Sequence, residues 1–189
     1  FREPVVVYEY LQRFYVQEGN KRVSVALFYG AKSIAARVER VIPMASDEDA
    51  FCLYRAFEKF WQGCAVYGIV ANDPESFAGI ARAFGYALGE RWEDRDVLAL
   101  KALLARFHAA WNKSKIAGDS LSEGDALAFY VRVLGRDRAC ALTMDQTEAA
   151  VLRLKPEFEL NATGEVPAHL EEPPEVRGSI SRAFSAPVS

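Results

Sequence analysis

The residues with the clearest chemical potential form a short basic segment that begins at a glycine. Gly19 is followed by Asn20, Lys21, Arg22 and, two residues later, Ser24. A helix is predicted to start here, and the first turn of a helix carries unpaired N–H groups and a partial positive charge. Acidic residues normally stabilise that end, whereas this one carries two cations. A bound anion would remove the mismatch, so the segment indicates a phosphate site formed by backbone amides, both cations and the serine hydroxyl.

Other interpretations of this segment stay open on the residues alone. Lys21 and Arg22 have long side chains that extend freely into water, and the GxxxxGK[ST] pattern of P-loop proteins is absent. Glu18, directly before the glycine, is placed to form an ion pair with Lys21 or Arg22, which would give it a structural role alone.

The segment needs a scaffold, and the hydrophobic pattern predicts one of β-β-α-β order. Alternating apolar residues predict strands over residues 5–9 and 13–17, and helical spacing predicts a helix over 21–29 that ends at Gly30. A third strand is expected over 33–42. The glycine of the candidate site therefore lies where the second strand passes into the helix.

The following region is predicted to be mainly helical, which makes the expected fold class α+β. We expect a small β-β-α-β domain over 1–43, a helical region over 44–158, and a linker or disordered tail over 159–189, where Pro, Glu and Ser accumulate. Capping residues and apolar spacing place the predicted helices over 46–62, 73–84, 94–113, 122–134 and 143–154, the last stopped by Pro156, with one further strand over 66–70.

Composition narrows the classes of function. The formal net charge is −3, which excludes a uniformly basic nucleic-acid binder, yet residues 1–43 carry seven Lys or Arg against four acids.

The three cysteines show no CxxC spacing, so neither a zinc site nor a disulfide framework is expected, and a cytoplasmic setting fits best. No apolar run is long enough for membrane insertion. Because the chain begins at Phe1, directly before a strand, we expect it to be a fragment of a longer protein.

Residues 14–43, with the sequence FYVQEGNKRVSVALFYGAKSIAARVERVIP, resemble the core of the ParB/sulfiredoxin-like superfamily. In that superfamily a strand ends in an acidic or small residue and a glycine, basic residues start a helix, and the helix ends at a second glycine before another strand. Glu18-Gly19, Lys21-Arg22, Gly30 and Val38 follow that order. The segment EGNKRVSV, residues 18–25, also resembles the corresponding segment of a group of bacterial proteins in which this domain precedes a helical region.

The resemblance implies that the turn binds the phosphates of a nucleotide. Members bind CTP (ParB partition proteins), ATP (sulfiredoxins) or ADP (a free-serine kinase), and Mg²⁺ is a candidate companion of the nucleotide. Asn20 stands where sulfiredoxins carry their reactive cysteine, so sulfiredoxin activity is not expected. ParB proteins have Gly-Glu-Arg-Arg where this chain has Gly-Asn-Lys-Arg, so the basic pair is kept and the acid that precedes it is lost.

The helical region leaves DNA binding and dimerisation open. ParB proteins carry a DNA-binding helical region at this place, and the segments 121–135 and 142–154 could be taken for a helix-turn-helix. The second segment offers mainly Asp145, Gln146, Glu148 and Arg153, whereas a recognition helix usually carries more cations. A packing or homodimer role is favoured instead, carried by Phe107, Trp111, Phe129 and Tyr130.

Three hypotheses about function follow. The favoured one is a ParB-like regulatory or adaptor domain that binds a nucleotide or a phosphorylated small molecule at residues 19–24. The second is a small-molecule phosphotransferase resembling the free-serine kinase branch. In that branch an acid precedes the glycine, and Glu18 occupies its place, so the resemblance implies a catalytic base or a ligand of a metal-bound water. The third is a DNA-binding partition or transcription regulator. Whether the protein is an enzyme is left open by the sequence.

Overall fold

The computed structural model describes residues 3–43, 45, 49–114, 121–161 and 181–182 of the 189-residue chain. Within these residues the fold is α+β, as the sequence predicts, and consists of a small mixed sheet and seven helices.

The sheet region has the element order that the hydrophobic pattern predicts. Strands β1 (Val5–Tyr10) and β2 (Arg13–Glu18) form an antiparallel hairpin, whose turn residues Leu11 and Gln12 both have positive φ. Helix α1 (Asn20–Phe28) follows, and strand β3 (Ala36–Arg40) returns parallel to β1. The strand order is β3-β1-β2, extended beside β2 by a two-residue strand, β4 (Ser181–Arg182).

Helix α1 ends as its glycine predicts. Gly30 has a φ of +66°, its N–H donates to the carbonyl of Leu27, and the N–H of Ala31 donates to that of Ala26. These two bonds form a Schellman motif, which satisfies carbonyls that the last turn would otherwise leave open. The chain is then directed back toward the sheet to form β3.

The rest of the described chain is helical. Its helices are α2 (Asp49–Cys64), α3 (Pro74–Ala83), α4 (Asp94–Ser114), α5 (Glu123–Leu134), α6 (Arg136–Ala141) and α7 (Met144–Asn161). The predicted cap of α2 at 46–48 lies outside the described residues. The short helix α6 was not predicted, because Gly135, expected only to close α5, also caps the start of α6.

The predicted strand over 66–70 is wrong. The segment is apolar and largely buried, but it has no regular secondary structure. Its backbone groups bond to other partners: Gln12 accepts from the N–H of Gly68 and donates to the carbonyl of Ile69, and the N–H of Gly124 donates to the carbonyl of Val70. A buried side chain and a helix end therefore satisfy the groups that a neighbouring strand would otherwise pair.

The predicted stop at Pro156 is also wrong, since α7 continues through this proline to Asn161. Proline removes the hydrogen bond to the carbonyl of Leu152, whose side chain is 55% exposed, so water is available on that side of the helix. Phe158, two residues beyond, packs edge-on against Trp111 and Phe129. This packing holds the continuing turn in place. Residues 159–161, part of the predicted tail, belong to α7, and apart from β4 the part after α7 lies outside the described residues.

The two faces of the sheet are covered unequally. Tyr10, Leu11 and Tyr15 belong to the large core formed with the helices, which runs on to Phe158. The opposite face carries a small separate cluster of four buried valines, namely Val5, Val7, Val16 and Val23. Helix α1 supplies one member of this cluster, and on the same face Val38 of β3 stays 51% exposed. The division of the chain at residue 43 stays a prediction.

Candidate functional site

The glycine at the start of α1 is required by both its conformation and its surroundings. Gly19 caps the helix with φ +100° and ψ 20°, a left-handed conformation that other residues rarely adopt. A Cβ atom built on Gly19 would lie 2.6 Å from Cγ1 of the buried Val5. The glycine therefore allows the chain to turn from β2 into α1 while pressed against β1.

The N-terminus of α1 has neither a side-chain cap nor an acidic residue. The cap residue, Gly19, has no side chain that could accept from the N–H groups of the first turn, and this turn contains no Asp or Glu. The first intrahelical bond at this end runs from the N–H of Val23 to the carbonyl of Gly19. The N–H groups of Asn20, Lys21 and Arg22 therefore precede the intrahelical ladder and point along the helix axis toward the turn.

The two cations at this end differ in their surroundings. The Lys21 side chain is exposed. Arg22 is half-buried, and its guanidinium donates to the backbone carbonyl of Glu3, just before β1. The same group is 3.1 Å from the position of a Cβ built on Gly19, so it lies beside the glycine turn. One cation is thus bound to the protein's own backbone next to the site, while the other extends into water.

The remaining predicted site residues lie around the same turn. Glu18 is the last residue of β2, where it pairs with Val6, and its side chain is exposed. Among the described residues it forms no ion pair with Lys21 or Arg22. Asn20 and Ser24 are exposed and lie one helical turn apart, on the same face of α1. Gly19 to Arg22 therefore lie at the start of α1, with Glu18 directly before them, whereas Ser24 is the fifth of the nine residues of the helix.

A groove beside α1 has a different character. It encloses about 260 Å³ between the helix, β1 and β3 and is lined by apolar side chains, including Val7, Leu27, Ile34 and Val38. Lys32 at its edge is the one charged residue of the lining. Lys21 and Arg22 do not line it, so the phosphate site proposed from the sequence and this apolar groove are separate features.

A buried carboxylate joins the sheet to the helical region, and the sequence did not single it out. Glu9 is 3% exposed, accepts from the backbone N–H of Gln12 and forms an ion pair with Arg40. Arg40 also lies over the ring of Tyr67. Burial and the neighbouring Glu9 raise the pKa of Tyr67 to about 12. Because the carboxylate has a cation and an amide as partners, its geometry is that of a structural contact.

A second polar cluster lies between α4 and α5. His108 Nδ1 is 2.9 Å from both carboxylate oxygens of Glu123, and Nε2 is 2.9 Å from the side-chain amide of Asn112. Burial raises the pKa of Glu123, and the hydrogen bond from His108 opposes that rise. His108 and Asn112 are one turn apart on α4, whereas no spacing signal joins them to Glu123, because that contact depends on how α4 packs against α5.

The aromatic residues predicted to pack or to form a dimer belong mainly to the core. Phe107 and Tyr130 are fully buried, and their ring centroids are 5.1 Å apart. Trp111 and Phe129 are partly buried and both pack against Phe158. Phe107 and Tyr130 therefore have a packing role and are not available to a second copy of the chain.

Within the described residues, no three His, Cys, Asp or Glu side chains are placed to hold a metal ion. Burial raises the pKa of the Cys64 thiol to about 11, which makes it a poor nucleophile at neutral pH. None of the described helices is long and apolar enough to span a membrane.

Comparison with known proteins finds no match, whether among family models, curated sequences or solved structures.

Proposed function

We propose that the N-terminal end of α1 binds the phosphate groups of a nucleotide or of a phosphorylated small molecule, in a ParB-like regulatory or adaptor domain. The observation that carries the proposal is the composition of this helix end: a left-handed glycine at the cap, two cations, no acid and no side-chain cap. Gly19, Asn20, Lys21, Arg22 and Ser24 form the site.

The chemistry of the site follows from what its groups can donate. Backbone N–H groups of the first turn and the Lys21 ammonium would donate to phosphate oxygens, while the positive end of the helix dipole favours the negative charge. Arg22 lies beside the turn through its bond to the Glu3 carbonyl, where it adds positive charge. Ser24, one turn further, supplies a hydroxyl at the edge of the site. A phosphate bound here would supply the negative charge that the first turn lacks.

Isothermal titration with CTP, ATP and ADP, each with and without Mg²⁺, tests the proposal. Lys21→Ala is expected to weaken nucleotide binding at least about fivefold, because an exposed charge-assisted hydrogen bond contributes about 1 kcal/mol. Arg22→Ala is expected to weaken it similarly, with thermal unfolding measured alongside because Arg22 also holds Glu3. Lys32→Ala is the matched control, since it removes an exposed lysine at the opposite end of α1. Equal affinities for Lys21→Ala, Lys32→Ala and the unaltered protein would contradict the site.

A second candidate function is phosphotransfer, and the exposure of Glu18 supports it. Its carboxylate lies next to the turn and joins no ion pair among the described residues, so it is available as a base. Incubation with nucleotide and small hydroxyl acceptors tests this candidate, with Glu18→Gln as the variant. Turnover lost in Glu18→Gln with nucleotide binding kept would favour the enzyme, and binding without turnover would favour the regulatory domain.

DNA binding, the third hypothesis, predicts retention on duplex DNA that falls steeply with salt. The described surface of α7 offers mixed charges, with Asp145 and Glu157 exposed as well as Arg153. No geometric feature of this helix favours DNA over the phosphate ligand proposed for α1.

A further inference from the structure

Strand β3 has an open edge. It is hydrogen-bonded to β1 on one side, and among the described strands nothing pairs with its other side. All five of its residues are exposed. The N–H of Val5 donates to the carbonyl of Ala35, and the N–H of Val41 donates to that of Glu9, so the odd-numbered residues of this segment bond to β1. In a regular parallel strand the backbone groups of Ala36, Val38 and Arg40 then point away from the sheet.

The apolar groove adjoins this same edge. Val38 is 51% exposed, Leu27 52% and Ile34 37%, and all three line the groove beside the strand. Edge strands are usually protected by charges, proline, bulges or a covering element, because an open edge with apolar neighbours promotes pairing with another strand. The strand itself carries three charges, at Arg37, Glu39 and Arg40. Among the described residues, however, no further strand covers its outer edge, and an apolar surface lies beside it.

The order of residues in β3 makes the strand complementary to itself. In an antiparallel pair of two β3 strands centred on Val38, Arg37 of each strand stands directly opposite Glu39 of the other. The outward backbone groups of Val38 then bond to those of the second Val38, and those of Ala36 bond to those of Arg40. The two charge pairs fall at the positions between hydrogen-bonded pairs, where opposing side chains approach most closely. Within one chain Arg37 and Glu39 are already 3.2 Å apart, so the four charges would form one alternating cluster.

Neighbouring registers lack this complementarity. The smallest slip that keeps the hydrogen bonding moves one strand by two residues. It sets Arg37 opposite the second copy's Arg37, or Glu39 opposite the second copy's Glu39. Like charges directly opposite one another destabilise a strand pair. The charges of β3 therefore favour a single twofold register.

We propose that β3 pairs antiparallel with β3 of a second copy of this chain, centred on Val38, to form a sheet that continues across a twofold axis. The pairing satisfies the outward backbone groups and brings the apolar grooves of the two copies next to one another. This interface is distinct from the aromatic residues of the helical region, and it does not depend on phosphate binding at α1.

Analytical ultracentrifugation over a concentration series tests the proposal. The unaltered protein is expected to show a monomer–dimer equilibrium. Glu39→Arg places arginines opposite one another and is expected to weaken the dimer at least about tenfold. The double variant Arg37→Glu with Glu39→Arg restores opposite charges at both positions and is expected to recover the original dissociation constant. Asp137→Arg, at a fully exposed position of α6, makes the same change in net charge and is expected to leave dimerisation unchanged.

Two further measurements report on the register. Val38→Pro removes an outward N–H without removing a bond to β1, and is expected to abolish the dimer while the thermal unfolding transition stays cooperative. Hydrogen exchange at the Val38 amide is expected to slow as protein concentration rises, whereas exchange at Glu39, whose N–H faces β1, does not depend on concentration. A monomer at every soluble concentration overturns the proposal. A dimer that Glu39→Arg leaves intact also overturns it.

Discussion

Helices α5 and α1 both begin with backbone N–H groups that lack partners inside the helix. Among the described residues, a side chain caps the start of α5 and none caps the start of α1. Ser122 caps α5 by accepting from the N–H of Asp125, and the first turn contains two acids. Asp125 in turn accepts from the backbone N–H groups of Asn72 and Asp73, while Gly124 donates to Val70. The start of α5 therefore has its polar groups satisfied by residues 70–73 and connects the helix to that segment.

The start of α1 has the opposite character. It has a glycine instead of a capping side chain and cations instead of acids, and the Lys21 and Ser24 side chains are exposed. A helix N-terminus whose N–H groups are capped by the protein contributes to stability. An uncapped N-terminus that carries cations is stabilised instead by an external anion. The difference indicates which helix end has a structural role and which has a ligand-binding role.

The largest expected effect concerns the close packing at α5. A Cβ on Gly124 would lie 2.6 Å from the carbonyl oxygen of Val70 and 3.0 Å from the N of Ala71, which are backbone atoms. Gly124→Ala is therefore expected to lower the free energy of unfolding by about 3 kcal/mol, measured by urea denaturation. Gly79→Ala is the control: no atom lies within 4 Å of its built Cβ, and a gain of about 0.5 kcal/mol is expected. Equal effects of the two variants would show that α5 does not pack closely against residues 70–71.

The next effect in size concerns the carboxylate at the start of α5. Asp125→Ala removes the acceptor for two backbone N–H groups and for the hydroxyls of Ser76 and Ser122. The free energy of unfolding is expected to fall by about 2 kcal/mol, because partly buried donors lose their partner. Asp145→Ala, at an exposed acid in the first turn of α7, is the matched control, with a loss of about 0.5 kcal/mol from the helix dipole and from the nearby charge of Lys113. Similar losses of unfolding free energy for the two variants would show that Asp125 stabilises the protein as a first-turn acid and not through its hydrogen bonds.

The smallest effect distinguishes the open helix end from the closed one. Lys21→Glu gives α1 the acid that its first turn lacks and is expected to raise the free energy of unfolding by about 0.5 kcal/mol at low salt. The same change is expected to abolish nucleotide binding, so stability and affinity move in opposite directions. Lys101→Glu, in the middle of α4, is expected to change neither. A loss of stability in Lys21→Glu would mean that Lys21 makes a favourable contact within the folded protein, and its role in binding would then need another explanation.

Local sequence signals determined much of the sheet region. The hairpin at Leu11 and Gln12 and the helix between Gly19 and Gly30 follow from residues close to one another in the chain, and a third strand was predicted after the helix without its pairing partner. The caps of α3 and α5 could also be predicted from the sequence, because a capping side chain and its backbone partner are two or three residues apart. Such features depend on conformational preferences that a short segment carries by itself.

Other features depend on contacts between residues far apart in the chain. The apolar segment 66–70 is not a strand because Gln12 and Gly124 take up its backbone groups, and α7 passes Pro156 because Phe158 packs against Trp111. The direction of the Arg22 side chain was not predictable either, since its acceptor, the Glu3 carbonyl, is set by how β1 lies beside α1. Which strand edge stays open likewise depends on the order of strands in the sheet. Long-range hydrogen bonds and packing decide these cases because they outweigh the small energies of local propensity.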